Sequence, residues 1–91
     1  MKLTFSTRAW EDYRWAADED RKLRVKIDAM IADTMRSPFR GLGKPEPLKG
    51  ELSGWWSRRI DDEHRMIYRV TGKGEAQTLE IIQLRFHYRR R

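Results

Sequence analysis

Cysteine is absent from the 91 residues, which excludes disulfides and thiolate metal sites. Histidine is scarce: His64 and His87 cannot form a zinc cluster unless carboxylates join them, and no metal or cofactor is expected. Long hydrophobic runs are missing, so no membrane span is expected. The opening MKLTFSTRAW carries no apolar stretch of signal-peptide length, and the cytoplasm is the expected compartment. No zinc motif, nucleotide-binding glycine loop or Ser/His/Asp arrangement occurs. Acid is the scarcer charge, with 14 Asp and Glu against 20 Lys and Arg, a net charge of +6. A chain this basic is drawn to polyanions. The stretch Arg85-Phe86-His87-Tyr88-Arg89-Arg90-Arg91 holds four arginines and no acid, and the guanidinium fork matches phosphate oxygens.

The length suits a single domain over 1–91. Lys2-Leu3-Thr4-Phe5 alternates as a short strand, and Ser6 or Thr7 then caps a helix. Trp10, Tyr13 and Ala17 recur at three and four residues and predict that helix's apolar face. Asp18-Glu19-Asp20 favours the start of a second helix, whose free N–H groups attract negative charge. Its buried stripe is Leu23, Ile27, Met30 and Ile31, and Pro38 stops it. Residues 37–50 mix three prolines and three glycines, which predicts an ordered loop without a regular element, with Glu46 held between Pro45 and Pro47. Strands follow within Leu52–Ile60, His64–Val70 and Gln77–Phe86. The fold class is α+β: two N-terminal helices packed on one face of an antiparallel β-sheet.

Alternation assigns faces. His64, Met66, Tyr68 and Val70 share the expected core face, and Arg65, Ile67 and Arg69 the other. A turn at Asp61-Asp62-Glu63 sets Arg59 opposite Arg65, a repulsive pair unless an anion sits between them. In the last strand Ile82, Leu84 and Phe86 are the expected core set. Absent a bulge, Arg59, Arg65, Arg85 and His87 then share the face without helices. Arg58 falls with Trp56 and Ile60 on the core side and reads as lying at a sheet margin. His64 reads as structural. The four tryptophans read as packing, with Trp55 also a candidate for stacking on a base.

Lys44-Pro45-Glu46-Pro47-Leu48-Lys49, then Leu52-Ser53-Gly54-Trp55-Trp56-Ser57-Arg58-Arg59-Ile60, Glu63-His64-Arg65 and the ending Phe86-His87-Tyr88 strongly resemble the YoeB (Txe/YoeB) toxin family. The opening Trp10-Glu11-Asp12-Tyr13 and Ser37-Pro38-Phe39 fit as well, so the resemblance covers about residues 1–88. It implies the RelE-like fold and a ribosome-dependent endoribonuclease toxin that cuts messenger RNA in the A site. The implied catalytic residues are Glu46, Arg65, His87 and Tyr88, and the implied RNA contacts include Lys49 and Arg59. Lys44, Trp55 and Arg85 complete the candidate RNA-binding set. The implied partners are a YefM-like antitoxin that wraps the toxin, the 30S A site with its messenger, and a second copy of the chain.

RNA carries its own nucleophile, the 2′-hydroxyl. On this reading Glu46 accepts its proton, Arg65 neutralises the developing charge and His87 protonates the departing 5′-oxygen. The products are then a 2′,3′-cyclic phosphate and a 5′-hydroxyl. Two other readings share the basic surface: a non-catalytic ribosome-binding translation inhibitor, and a related-fold toxin that inhibits DNA gyrase. Two features depart from the family pattern. The connector Thr71–Gln77 is longer than the family's usual turn, and Arg89, Arg90 and Arg91 extend past the His-Tyr pair.

Overall fold

The computed structural model describes residues 1–86, so the expectations placed on His87, Tyr88 and 89–91 lie outside the described residues. The elements are β1 (Lys2–Phe5), α1 (Thr7–Glu19), α2 (Arg21–Arg36), β2 (Glu46–Pro47), β3 (Trp56–Arg59), β4 (Arg65–Thr71) and β5 (Thr78–Gln83). Short 3₁₀ turns cover Gly50–Leu52 and Gly74–Ala76. Among the described residues no helix is long and apolar enough to cross a membrane.

Local chemistry sets the helix ends. The Ser6 hydroxyl accepts the Ala9 N–H at 3.0 Å and caps α1, and the Asp20 carboxylate accepts the Leu23 N–H at 3.0 Å and caps α2. The two helices form the expected hairpin on one face of the sheet. On α2 the predicted stripe is the real one: Leu23, Ile27, Met30 and Ile31 are all buried.

On α1 the predicted stripe is displaced. The buried positions are Ala9, Asp12 and Ala16, while Trp10 is half exposed. Alanine lets the helix backbone approach the sheet closely, which a tryptophan on the same face would prevent. The aromatics pack at the margin instead, with Trp10 stacked on Tyr13 at 6.1 Å and Phe5 set edge-on against both.

The sheet order is β1-β5-β4-β3-β2. Strands β2 to β5 pair antiparallel, whereas β1 runs parallel to β5, so the sheet is mixed. A parallel pair needs a crossover, and the α1–α2 hairpin lies within the chain that links β1 to the strands beyond it. The loop 37–50 holds one regular piece after all: Glu46 pairs with Ser57 and Pro47 with Trp56. Proline is tolerated there because β2 is an edge strand.

The last strand corrects the parity reading. Ile67 pairs with Gln83 while Tyr68 pairs with Ile81, so Ile82 is an extra residue in a bulge. Leu79, Ile81 and Leu84 are therefore the buried set, and Phe86 is exposed. The two inner positions of β4 behave as expected, with Met66 and Tyr68 fully buried.

Candidate active site

The face without helices gathers residues from four strands. Glu46 of β2 lies across from Ser57 of β3, Ser57 across from Ile67 of β4, and Arg59 across from Arg65. Cross-strand partners share a face, so Glu46, Ser57, Arg59, Arg65 and Ile67 are all presented on the same side. Gln83 extends the row beyond Ile67. Ile67 and Ser57 are buried there and form a floor between the charged groups.

Glu46 and Arg65 converge. Glu46 Oε1 stands 3.7 Å from Arg65 Nη1, and the same nitrogen donates to Ser57 Oγ at 3.3 Å. The Glu46 side chain is 62% exposed and that of Arg65 29%. The carboxylate is open to solvent and to a ligand, while the guanidinium is half sunk and held from below by Ser57. Sequence reasoning did not single out Ser57. Its role follows from its register opposite Glu46, which depends on a two-residue strand that the proline-rich composition concealed.

A buried arginine fixes the loop that carries Glu46. Arg58 is completely buried, which corrects its expected place at a sheet margin. It donates to Tyr68 Oη at 3.1 Å, Asp33 Oδ2 at 2.7 Å, and the carbonyls of Ser37, Arg40 and Leu42 at 2.5, 3.0 and 3.1 Å. Tyr68 in turn donates to the Pro38 carbonyl at 2.6 Å. A buried charge persists only when paired and hydrogen-bonded, and here one guanidinium satisfies an acid, a phenol and three loop carbonyls. The Leu42 N–H and the Arg58 guanidinium hold the Asp33 carboxyl below its ordinary 3.8. Burial pushes the Tyr68 phenol up, against the pull of Arg58. Gly41 and Gly43 have no room for a side chain. A Cβ on Gly41 would lie 2.3 Å from Asp33 Oδ2, and one on Gly43 would lie 2.5 Å from the Arg59 carbonyl oxygen, with φ at +115° and +75°.

The other predicted residues fall at differing distances from this pair. Arg59 donates to an Asp62 carboxylate oxygen and is half exposed. Lys44 has φ of 51° and, with Lys49, flanks Glu46 on the loop. Neither lysine makes an ion pair among the described residues. One face of the Trp55 ring is covered by the Arg69 guanidinium at 4.4 Å, and Arg69 is itself bonded to Glu80, which raises its pKa. Arg85 is misplaced by the parity argument: its guanidinium lies 3.7 Å from the centre of the Trp15 ring, on α1. The bulge at Ile82 and the end of β5 at Gln83 turn it away from Arg59 and Arg65.

His64 is buried, as read. Its Nδ1 accepts the Phe86 N–H at 2.8 Å. The tight turn before it is built on Asp61, whose carboxylate accepts the N–H groups of Glu63 and His64. Burial pushes that carboxyl up, but those two hydrogen bonds outweigh it and leave Asp61 below 3.8. The Arg65 N–H donates to the Phe86 carbonyl at 3.2 Å, so the chain reaches Arg65 one residue before His87.

The sequence profile of a family described as "YoeB-like toxin of bacterial type II toxin-antitoxin system" matches residues 5–88. The chain is 53% identical over 88 residues to "Toxin YoeB" of Streptomyces coelicolor, covering 97% of this chain and 100% of that protein. The solved "YoeB/ParE toxin from Agrobacterium tumefaciens" superposes with a TM-score of 0.92 at 52% identity, over 97% of this chain and 100% of that one. A Staphylococcus aureus YoeB is similar as a dimer, with a TM-score of 0.85 at 37% identity. Its heterotetrameric complex with YefM gives 0.84 at 37%. Each of these two comparisons covers 97% of this chain and 98% of the staphylococcal one.

Proposed function

The chain belongs to the YoeB-like toxins of bacterial type II toxin–antitoxin systems, within the RelE/ParE superfamily, and from that premise we propose that it cuts messenger RNA in the ribosomal A site by general acid–base catalysis. The observation that carries the reading is the approach of Glu46 Oε1 to Arg65 Nη1 at 3.7 Å on the open face. A carboxylate and a guanidinium at that spacing, both solvent-accessible, can bracket a phosphodiester and its 2′-hydroxyl. Glu46 takes the 2′-hydroxyl proton. The 2′-oxygen bonds to phosphorus, Arg65 stabilises the negative phosphorane, and the bond to the 5′-oxygen breaks as His87 protonates it. Tyr88 orients the phosphate. The products are a 2′,3′-cyclic phosphate and a 5′-hydroxyl.

Carboxylates as a class are weak bases, so orientation must supply much of the acceleration. The ribosome provides it by holding the messenger in register with Glu46. Lys44, Lys49 and Arg59 add positive charge that positions the RNA backbone, and Trp55 stacks on a base. A YefM-like antitoxin is the proposed partner in the resting state, by analogy with the staphylococcal complex, and a homodimer is the proposed free form.

Cleavage on programmed ribosomes tests the reading, with product ends mapped for wild type, Glu46→Gln and His87→Gln. Cuts in the A-site codon with cyclic-phosphate ends are expected from wild type. Each variant should be slower by about 10²–10⁴-fold with ribosome binding unchanged. Tight ribosome binding without cuts by any of the three would replace the nuclease with a translation blocker.

A further inference from the structure

The three residues that follow β5 lie beyond its paired register with β4, yet each of their backbone N–H groups has an acceptor. Asp12 Oδ2 accepts from Leu84 at 3.0 Å and from Arg85 at 3.2 Å, and His64 Nδ1 accepts from Phe86 at 2.8 Å. Two of the carbonyls are held as well. Arg85 O accepts from Arg8 Nη2 at 3.3 Å and from Gln83 Nε2 at 2.9 Å, and Phe86 O accepts from the Arg65 N–H at 3.2 Å and from Gln83 Nε2 at 3.1 Å.

Both acceptors are themselves buried, Asp12 at 4% and His64 at 6% exposure, and they come from different elements. Asp12 projects from α1 and is charge-balanced by Arg8 at 3.1 Å. His64 closes the β3–β4 turn. An imidazole nitrogen that accepts carries no proton, so the ring proton lies on Nε2, facing Glu63 Oε1 at 3.7 Å.

Between them the chain bends in a way that phenylalanine resists. Phe86 has φ of +70°, a left-handed conformation disfavoured for a bulky side chain by about 1–2 kcal/mol. Such an outlier persists only where its surroundings over-determine it. The bend lies one residue before His87 and against the backbone of Arg65.

We propose that Asp12 and His64 are positioning residues for the acid step: they hold the backbone of Leu84–Phe86 beside Arg65, on the stretch from which the chain runs on to His87. This rests on the acid role given to His87 above. It also accounts for Asp12 and His64, two polar side chains within the stretches Trp10–Tyr13 and Glu63–Arg65 that have no other part in the chemistry. Neither touches the reacting atoms.

The test compares His64→Asn, whose amide oxygen can occupy the place of Nδ1, with His64→Gln, whose oxygen reaches past it. Single-turnover cleavage, ribosome binding and amide-proton exchange at Phe86 are measured for both, beside wild type and His87→Gln. His64→Gln should cleave about 10–100-fold more slowly than wild type, with ribosome binding unchanged and exchange at Phe86 accelerated. His64→Asn should recover most of the rate and the protection. Equal rates in the two variants, with His87→Gln inactive, would overturn the positioning role and leave the nuclease standing. An inactive wild type would overturn the nuclease reading and this one with it. Should neither variant fold, exchange in the wild type decides: slow exchange at Phe86 supports the clamp, and exchange as fast as an open chain end removes it.

Discussion

Arg58 and Arg59 are neighbours in one strand and have opposite fates. Arg58 faces the helices, is wholly buried and spends every donor on Asp33, Tyr68 and three loop carbonyls. Arg59 faces the open side, is half exposed and lies opposite Arg65. One arginine has no capacity left for a ligand. The other two stand opposite each other on the open face, each beside an exposed carboxylate, Asp62 for Arg59 and Glu46 for Arg65. A charged residue serves the fold when its partners are saturated and serves binding when they are not.

That contrast can be broken from either side. The largest effect is expected at Arg65. On the proposed mechanism Arg65→Gln removes the guanidinium that stabilises the phosphorane, and single-turnover cleavage on programmed ribosomes should fall about 10²–10³-fold. Urea unfolding of the same variant should stay within about 1 kcal/mol of wild type, because its side chain remains partly solvated.

Arg58→Met should invert the pattern. It leaves the carbonyls of Ser37, Arg40 and Leu42 without their donor and the Asp33 carboxylate without its buried guanidinium, a loss expected to cost about 3–5 kcal/mol of folding stability. Chemical denaturation reads this directly. The loop that carries Glu46 should lose protection from amide exchange before the helices do.

A smaller effect is expected from acid. The Asp33 carboxyl is depressed in the folded protein by the Leu42 N–H and by Arg58. Its contribution is therefore complete above the unfolded value of about 3.8 and is lost as pH falls through the lower folded value. In Asp33→Asn, the fall in stability between about pH 5 and pH 2 should be shallower than in wild type, in melting curves recorded across that range. An unchanged acid limb would remove Asp33 as a contributor. The smallest effect belongs to Arg59→Gln, whose exposed pair with Asp62 should change stability by less than about 0.5 kcal/mol. Its signature is a weaker salt dependence of ribosome binding.

Much of the architecture was legible because local chemistry sets it. Ser6 and Asp20 cap their helices, the α2 stripe is continuous, and the turn at Asp61–Glu63 forces Arg59 against Arg65. The failures share a cause. The Trp10–Tyr13–Ala17 stripe looked like a core face because aromatics carry large apolar area, but the close approach of α1 to the sheet selected Ala9, Asp12 and Ala16 instead. Ile82, Leu84 and Phe86 looked like one face of a strand until a single inserted residue at Ile82 shifted the parity and turned Arg85 onto Trp15. The two-residue strand at Glu46–Pro47 is too short to leave a pattern.

The sequence by itself determined the class of the fold, the identity of the family and the facing of Arg59 and Arg65 away from the helices, because period, capping and motif are local properties of a chain. Tertiary structure decided the rest. It buried Arg58 beneath the loop that carries Glu46, brought that glutamate within 3.7 Å of Arg65 and set Ser57 beneath the guanidinium. It also turned Asp12 and His64 toward the end of the last strand. Those relations join residues up to 73 positions apart. They depend on register and packing, which no local pattern encodes.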